Sequence, residues 1–376
     1  MRILCLVKKM PPHDGVGDYS HRLVTALRAR GHVTTLLPGE TLWNWRGLGR
    51  FLAACREFQA DVIAFQFSPF MYGRRGICLY LIGWLAAARW LGRANVVITF
   101  HELYNQWQRR PLGWGLALLH RFQFFALGTI ANALIFTTTR RHTLGRRWFF
   151  WKRSAVHRMP VGANILPLTA TLHQDRMVLT TFGLLQRGVH FEELLRVVAK
   201  LVQEDGFSLT LQILGDWSVA DPRRKQELEN LVAAHHLREY LECSGPLSEA
   251  ELSQRLASSD LYLYWRDDGP TTRSGTLAAA LAHGLPVLAN RAPEMDDILA
   301  QRGAVALFED ANDLRRLCAE LLRQPERRAD LSRRAREFAA STLGWEHIAA
   351  AYEKVFPAVA RFPEIPPAGA VEHLSQ

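Results

Sequence analysis

Residues 260–290 read DLYLYWRDDGPTTRSGTLAAALAHGLPVLAN, and the reading of this stretch decides the fold. The apolar, aromatic run at 261–265 predicts a buried strand. A polar loop follows at 266–275, holding two glycines, a proline and several hydroxyl and basic side chains. Residues 276–283 are strong helix formers, closed by Gly284 where a helix takes a left-handed residue at its end. Residues 286–289 supply a second strand. This order describes one strand–loop–helix–strand unit of a parallel sheet, with the polar loop at the carboxyl end of the first strand. Ligands bind at that place in open α/β sheets, and the unpaired N–H groups of the helix start suit an anion. Taken alone, the stretch is as well explained by an ordinary βαβ unit with a long loop, so the rest of the chain has to decide.

Working outward, the same alternation recurs throughout. Residues 2–8, 32–37, 61–67, 95–100 and 133–136 are apolar runs of strand length, separated by segments of helical period. A second series starts at 178–183 and continues through 208–214, 240–244 and 304–308, with helices predicted at 191–203, 225–235, 249–258, 312–322 and 330–343. Between the two series, MPVGANILP at 159–167 is bounded by proline and glycine and reads as the interdomain link. The chain of 376 residues is the length expected of two domains. The division read here is 1–160, 161–341, a last helix at 342–356, and a Pro-rich tail at 357–376 expected to be disordered.

Composition narrows the partners. The formal net charge of +10 asks for an anionic one, and nucleic acid, anionic lipid and nucleotide-diphosphate compounds all qualify. The five cysteines are scattered and never form a CxxC pair, which suits reduced thiols in a cytosolic protein and offers no zinc spacing. The N-terminal apolar stretch is too short for a signal peptide and reads as a first strand. No segment has the roughly 20 apolar residues of a spanning helix.

Several stretches carry candidate chemistry. Gly15 and Gly17, in MPPHDGVG after the first strand, allow close backbone approach to a ligand, or simply a tight turn. His101 and Glu102 stand at the carboxyl end of the fourth strand, so His101 faces a cleft or caps local backbone. Residues 145–158 (GRRWFFWKRSAVHR) set four aromatics between Arg146, Arg147 and Lys152, Arg153. Trp148 and Trp151 with these cations suit a membrane interface, or single-stranded nucleic acid, or a connection whose aromatics pack inward.

Read together, the segments DGVGD at 14–18, TFHE at 99–102, PVGAN at 160–164, GLLQRGV at 183–189, ILGD at 213–216 and GPLSEAEL at 245–252 resemble, in order and spacing, the motifs of the GT-B fold glycosyltransferases, specifically the large retaining family 4. The correspondence runs to about residue 356. It implies two Rossmann-like doubly wound domains facing across a cleft, with the last helix returning to the first domain. It also implies transfer of a sugar, with retention, from a nucleotide-diphosphate donor to a glycan or lipid-linked acceptor. By the same resemblance His101 is the catalytic histidine. Gly183, Arg187, Thr271, Thr272, Arg273, Ser274, Gly275 and Thr276 are then the donor-binding set, without cofactor or metal.

The chain departs from the family at two places. Alignment on 282–287 puts the family's two donor-site glutamates at Thr271 and Ala279, so both acids are missing. The usual arginine after the glycine of the 183–188 loop is Leu184, which leaves Arg187 as the cation there. The expected activity is that of a hexosyltransferase of unspecified donor, in the cytoplasm and peripheral on the inner face of the cytoplasmic membrane through Arg146, Arg147, Trp148, Trp151, Lys152 and Arg153. The competing reading is a catalytically inactive GT-B protein that acts as a binding or scaffolding partner. Nucleic acid is the weakest of the partner expectations.

Overall fold

The computed structural model describes residues 1–8, 15–39, 45–104, 111–168, 176–183, 188–215 and 222–359. It has two six-stranded parallel sheets. The first holds β1 (Arg2–Val7), β2 (Val33–Pro38), β3 (Val62–Phe67), β4 (Asn95–Phe100), β5 (Ala133–Phe136) and β6 (Val156–Arg158), in the order β2-β1-β3-β4-β5-β6. The second holds β7 (Met177–Phe182), β8 (Leu209–Leu214), β9 (Leu241–Cys243), β10 (Leu261–Tyr264), β11 (Val287–Asn290) and β12 (Ala306–Phe308), in the order β12-β11-β10-β7-β8-β9. In the second sheet the chain builds outward from β7 to β9, then returns to the other side of β7 to place β10. The loops after β7 and β10 therefore leave the sheet at its topological switch point, where a crevice opens.

The strands form because both faces of each sheet are covered. β3 and β4 are buried along their whole length, as their largely apolar sequences require, with Gln66 and Thr99 as buried polar members. Side chains alternate between two cores: Leu4 and Leu6 face the helices that carry Trp84 and Phe124, while Ile3, Cys5 and Val7 face Tyr19, Leu23 and Leu27 of helix Gly15–Ala29. The second sheet is sandwiched in the same way, with helix Phe191–Gln203 on one face and helix Gly275–Ala282 on the other.

The last helix, Trp345–Val359, lies on the first sheet's unit rather than the second's. Ile348, Ala349, Tyr352, Val355 and Phe356 join the core formed by Tyr19, Leu23 and Leu27. Tyr352 Oη sits 3.1 Å from Tyr19 Oη and 2.6 Å from Thr99 Oγ1 on β4. The indole of Trp345 donates to the Ala163 carbonyl at 2.8 Å. A Cβ on Gly162 would lie 2.7 Å from that indole, so a glycine there lets the helix seat. The tail from residue 360 is outside the described residues.

Three local readings differ from the sequence expectation. The glycines Gly15 and Gly17 belong to helix Gly15–Ala29 rather than to a loop, and Asp18 lies inside its first turn. The first turn of a helix has free N–H groups in any case, so glycine there costs little of the hydrogen bonding. The segment of helical period before the strand at 133–136 is a single long helix, Pro111–Ile130. Strand β6 was not foreseen; it is a three-residue edge strand pairing with β5.

Candidate functional site

The carboxyl ends of both sheets meet, and the contacts between them can be built residue by residue. On the first sheet β5 ends at Phe136, and Thr137–Thr139 lead into helix Thr139–Trp148, with the Thr138 hydroxyl accepting the Arg141 N–H as its cap. On the second, the loop after β10 carries Thr271–Ser274, and the loop after β11 carries Asp296. Asp296 is buried, and its two oxygens reach both units. Oδ1 accepts the Thr139 N–H at 2.8 Å, and Oδ2 accepts the Thr272 N–H at 2.8 Å. Thr272 Oγ1 lies 2.6 Å from that same Oδ2 and 2.9 Å from the Thr137 carbonyl, one hydroxyl proton shared between two acceptors. Thr272 thus holds the two units together; its hydroxyl, expected at the donor, is buried and committed. The Val161 N–H donates to the Thr272 carbonyl at 2.8 Å and completes the joint.

His101 follows β4 directly. Its Nε2–H donates to Gln66 Oε1 at 2.9 Å, and its ring meets Tyr19 edge-on at 4.9 Å. The Arg141 guanidinium donates to the His101 carbonyl. Burial first, and the Arg141 charge second, lower the His101 pKa to about 3, so the imidazole is neutral at physiological pH. With Nε2 carrying the proton, Nδ1 is left as an acceptor. Glu102 beside it accepts from Ser68 Oγ at 2.7 Å.

Arg141 is the residue that sequence reasoning missed. Burial and then the nearby Arg273 charge lower its pKa to about 10, while Glu102, Glu294 and Asp268 act in the opposite sense. The charge of Arg273, from the other unit, thus bears on the part-buried Arg141 guanidinium. Arg273 is held by Asp268 at 2.7 Å, and Arg266 approaches the same carboxylate at 3.7 Å. Only position pointed to Arg141: with Arg140 it follows three threonines at a strand's carboxyl end, as Arg273 follows two. Asp296 had no signal beyond its place after a strand.

Ser274 caps helix Gly275–Ala282, its Oγ accepting the Leu277 N–H at 3.3 Å and lying 3.2 Å from Thr276 Oγ1. Gly275 and Thr276 form the helix's first turn, whose free N–H groups adjoin Arg273. Thr271 is buried, and its hydroxyl has no partner among the described residues; Ala279 is fully buried. The loop after β7 starts at Gly183, with a positive φ of 145°, and Gly188 at its far end has φ 82°. Val189 bridges Arg266 in antiparallel fashion, and the Asp267 N–H donates to the Gly188 carbonyl at 3.0 Å, so the loops after β7 and β10 are stitched together. Arg187 and Leu184 lie outside the described residues.

The aromatic-basic segment divides. Lys152 is not a surface cation: its ammonium donates to the carbonyls of Gly128, Thr129 and Ala131 at 2.8, 3.2 and 2.7 Å and closes the end of helix Pro111–Ile130. Burial, and secondarily Arg89, lower its pKa to about 8. Trp148 packs against the core beside Tyr104 and Phe124. Arg146, Arg147, Trp151 and Arg153 are exposed.

Residues 194–354 match the family model described as glycosyl transferase-like. No curated protein sequence matches the chain. Among solved structures, a glycosyltransferase from Rickettsia africae ESF-5 superposes with a TM-score of 0.72 at 11% identity, over 96% of this chain and 98% of that one. Anabaena HepE in complex with UDP gives 0.70 at 12% identity, over 95% and 100%. Sucrose-phosphate synthase from Thermosynechococcus elongatus gives 0.66 at 16% identity, over 95% and 98%. At such identities the likeness is one of fold, and that fold is GT-B. Residues 194–354 thus resemble a glycosyltransferase domain, and the chain has a GT-B architecture.

Proposed function

We propose that this protein transfers a sugar, with retention of anomeric configuration, from a nucleotide-diphosphate donor to a glycan or lipid-linked acceptor. In this reading residues 1–160 form the acceptor side and 161–341 the donor side. The observation that carries it is the joint through Asp296, which ties the start of the Arg141 helix to the loop that carries Arg273 at the carboxyl ends of both sheets. Two like charges brought together in partly desolvated surroundings are stabilised by an anion between them. A diphosphate lying there would also meet the first-turn N–H groups of helix Gly275–Ala282, and Arg187 would close it from the 183–188 loop. That HepE is solved with UDP in the same fold supports a nucleotide on the donor side.

His101 then works as a neutral group. With Nδ1 as acceptor it orients a sugar hydroxyl, and its ring supports positive charge as it builds at the anomeric carbon. The departing phosphate takes the acceptor's proton, and the two arginines stabilise the charge left on it. Incubation with UDP-, GDP-, ADP- and dTDP-sugars tests the reading. Nucleotide release with an acceptor, and a product of unchanged anomeric configuration by NMR, is the expected result.

One observation favours a second reading, a GT-B protein that binds without turnover. Thr271 and Ala279 stand where the resemblance puts two glutamates, and fully buried Ala279 offers no group to a ribose. Nucleotide-sugar binding with no release under any acceptor would select it.

A further inference from the structure

Helix Pro111–Ile130 covers the first sheet with Ala117, Phe124 and Leu127, which are fully buried. Its opposite face should be polar, since a surface helix normally turns its charges outward. Instead Trp114, Leu118, Phe122 and Phe125 follow at spacings of four, four and three, and all are exposed; Phe122 keeps 58% of its surface in solvent. Arg121, the helix's cation, is turned aside over the Tyr104 ring at 4.4 Å. The row continues onto the next segment: Phe125 meets Trp151 edge-on at 5.8 Å, and Trp151 meets the 65% exposed Phe150 at 5.2 Å. Contiguous apolar surface of this kind marks an interaction site.

Charge says what covers it. Between Val62 and Gln174 the chain has fourteen lysines and arginines and a single carboxylate, Glu102, which is engaged with Ser68. Arg146, Arg147 and Arg153 are exposed on the segment that carries Phe150 and Trp151, and among the described residues none of them has an ion-pair partner. A second copy of the chain would bring this positive face against itself, which like-charge repulsion opposes. Single-stranded nucleic acid needs cations interleaved with stacking rings. Here the exposed row on the helix carries no charge, and the helix's one arginine, Arg121, lies over the Tyr104 ring. An apolar helix face with aromatic ends and exposed arginines on the segment it meets is the pattern of a segment lying in the plane of a bilayer interface. No helix among the described residues is long and apolar enough to cross a membrane, and this one is held to the sheet by its inner face.

We infer that the exposed face of helix Pro111–Ile130, with Phe150 and Trp151, docks on an anionic lipid surface, the apolar row entering the headgroup region and Arg146, Arg147 and Arg153 lying against the phosphates. This goes beyond the proposed transfer reaction and does not depend on it. The helix adds Trp114, Leu118, Phe122 and Phe125 to the residues between Arg146 and Arg153 that the sequence alone suggested.

The test is co-sedimentation of the full chain with phosphatidylcholine vesicles and with mixed phosphatidylglycerol–phosphatidylcholine vesicles. Binding is expected to the mixed vesicles alone and is expected to fall with added salt. The double variant Leu118→Glu/Phe122→Glu should reduce partitioning at least tenfold. Arg146→Gln/Arg147→Gln/Arg153→Gln should reduce it about a hundredfold, since each arginine near an anionic leaflet is worth a factor of about five. All five positions are on the surface, so a circular dichroism melt should match the unaltered chain. Equal sedimentation with neutral vesicles, or unchanged binding by both variants, overturns the proposal. So does a dimer by light scattering that the double variant dissolves, or oligonucleotide binding without vesicle binding.

Discussion

Asp296 and Thr139 lie on different units of the molecule, yet the Asp296 carboxylate is 2.8 Å from the Thr139 N–H and acts as a cap for helix Thr139–Trp148. Its other oxygen holds the Thr272 backbone, so one carboxylate ties the start of the Arg141 helix to the loop that carries Arg273. Replacing Asp296 by alanine leaves the buried Thr272 N–H and the part-buried Thr139 N–H without an acceptor, while the Thr272 hydroxyl keeps the Thr137 carbonyl. The expected cost is about 2–4 kcal/mol, each orphaned group costing about 1–3 kcal/mol with part of the loss recovered by water. A urea titration should show a lower midpoint. An Asp296→Ala protein as stable as the parent would mean that the joint is redundant.

Arg141→Gln and Arg273→Gln should each weaken binding of a nucleoside diphosphate by about 1.5–3 kcal/mol, the range for a hydrogen bond to a charged group. Neither carries core packing, so melting should change little. Isothermal titration with UDP, GDP and ADP measures this directly. If only Arg273→Gln has an effect, Arg141 serves the His101 backbone and not the phosphate. Arg187→Ala should show a loss of the same size if its loop closes the site.

The pKa of His101 supplies a prediction about acid. It falls from the ordinary 6.5 to about 3 on folding, so below pH 6.5 the unfolded chain takes up a proton that the folded one refuses. The stability from this group is complete above pH 6.5 and is lost as the pH drops toward 3, with a limiting slope of about 1.4 kcal/mol per pH unit. His101→Gln should therefore lose less stability between pH 7 and 5 than the parent does, by urea midpoints at the two values. The kcat profile over pH 6–9 should show no limb that the variant removes, because the imidazole stays neutral throughout.

Lys152 and its three arginine neighbours should behave differently. Lys152→Gln strips the cation from the Gly128, Thr129 and Ala131 carbonyls at the end of a helix and should cost about 1–3 kcal/mol. Arg146→Gln, Arg147→Gln and Arg153→Gln should each stay within about 0.5 kcal/mol of the parent. Thermal denaturation of the four variants side by side checks the contrast; four equal melting temperatures would contradict it.

These cases show where sequence reading stops. β4 and β5 were legible to the residue because a doubly covered parallel strand has to be largely apolar and is flanked by polar turns. β6 was not, since Val156–Arg158 is an edge strand of three residues, too short for any pattern to register. Arg273 was visible because the βαβ period put its loop at a strand's carboxyl end. Arg141 shares one helix with Arg140, Arg146 and Arg147, and nothing local distinguishes it from Arg140, which pairs with Glu294 at the surface. Lys152 was misread for a related reason. Its partners come from the end of a helix more than twenty residues upstream, and only the folded arrangement brings them within reach. The joint through Asp296 links residues 139, 272 and 296, which no local window contains.

The seat of helix Trp345–Val359 on the first sheet has a consequence for synthesis. Tyr19, Leu23 and Leu27 share their core with Ile348, Tyr352 and Val355, so the first half of the molecule leaves the ribosome with one sheet face only partly covered, by helix Gly15–Ala29. Some 190 residues separate β6 from that helix, and at translation rates of 5–20 residues per second the wait is roughly 10–40 s. For that interval part of an apolar face of the first six strands is open to chaperones or to aggregation. The nascent first half should therefore be held as a client rather than released as a finished domain.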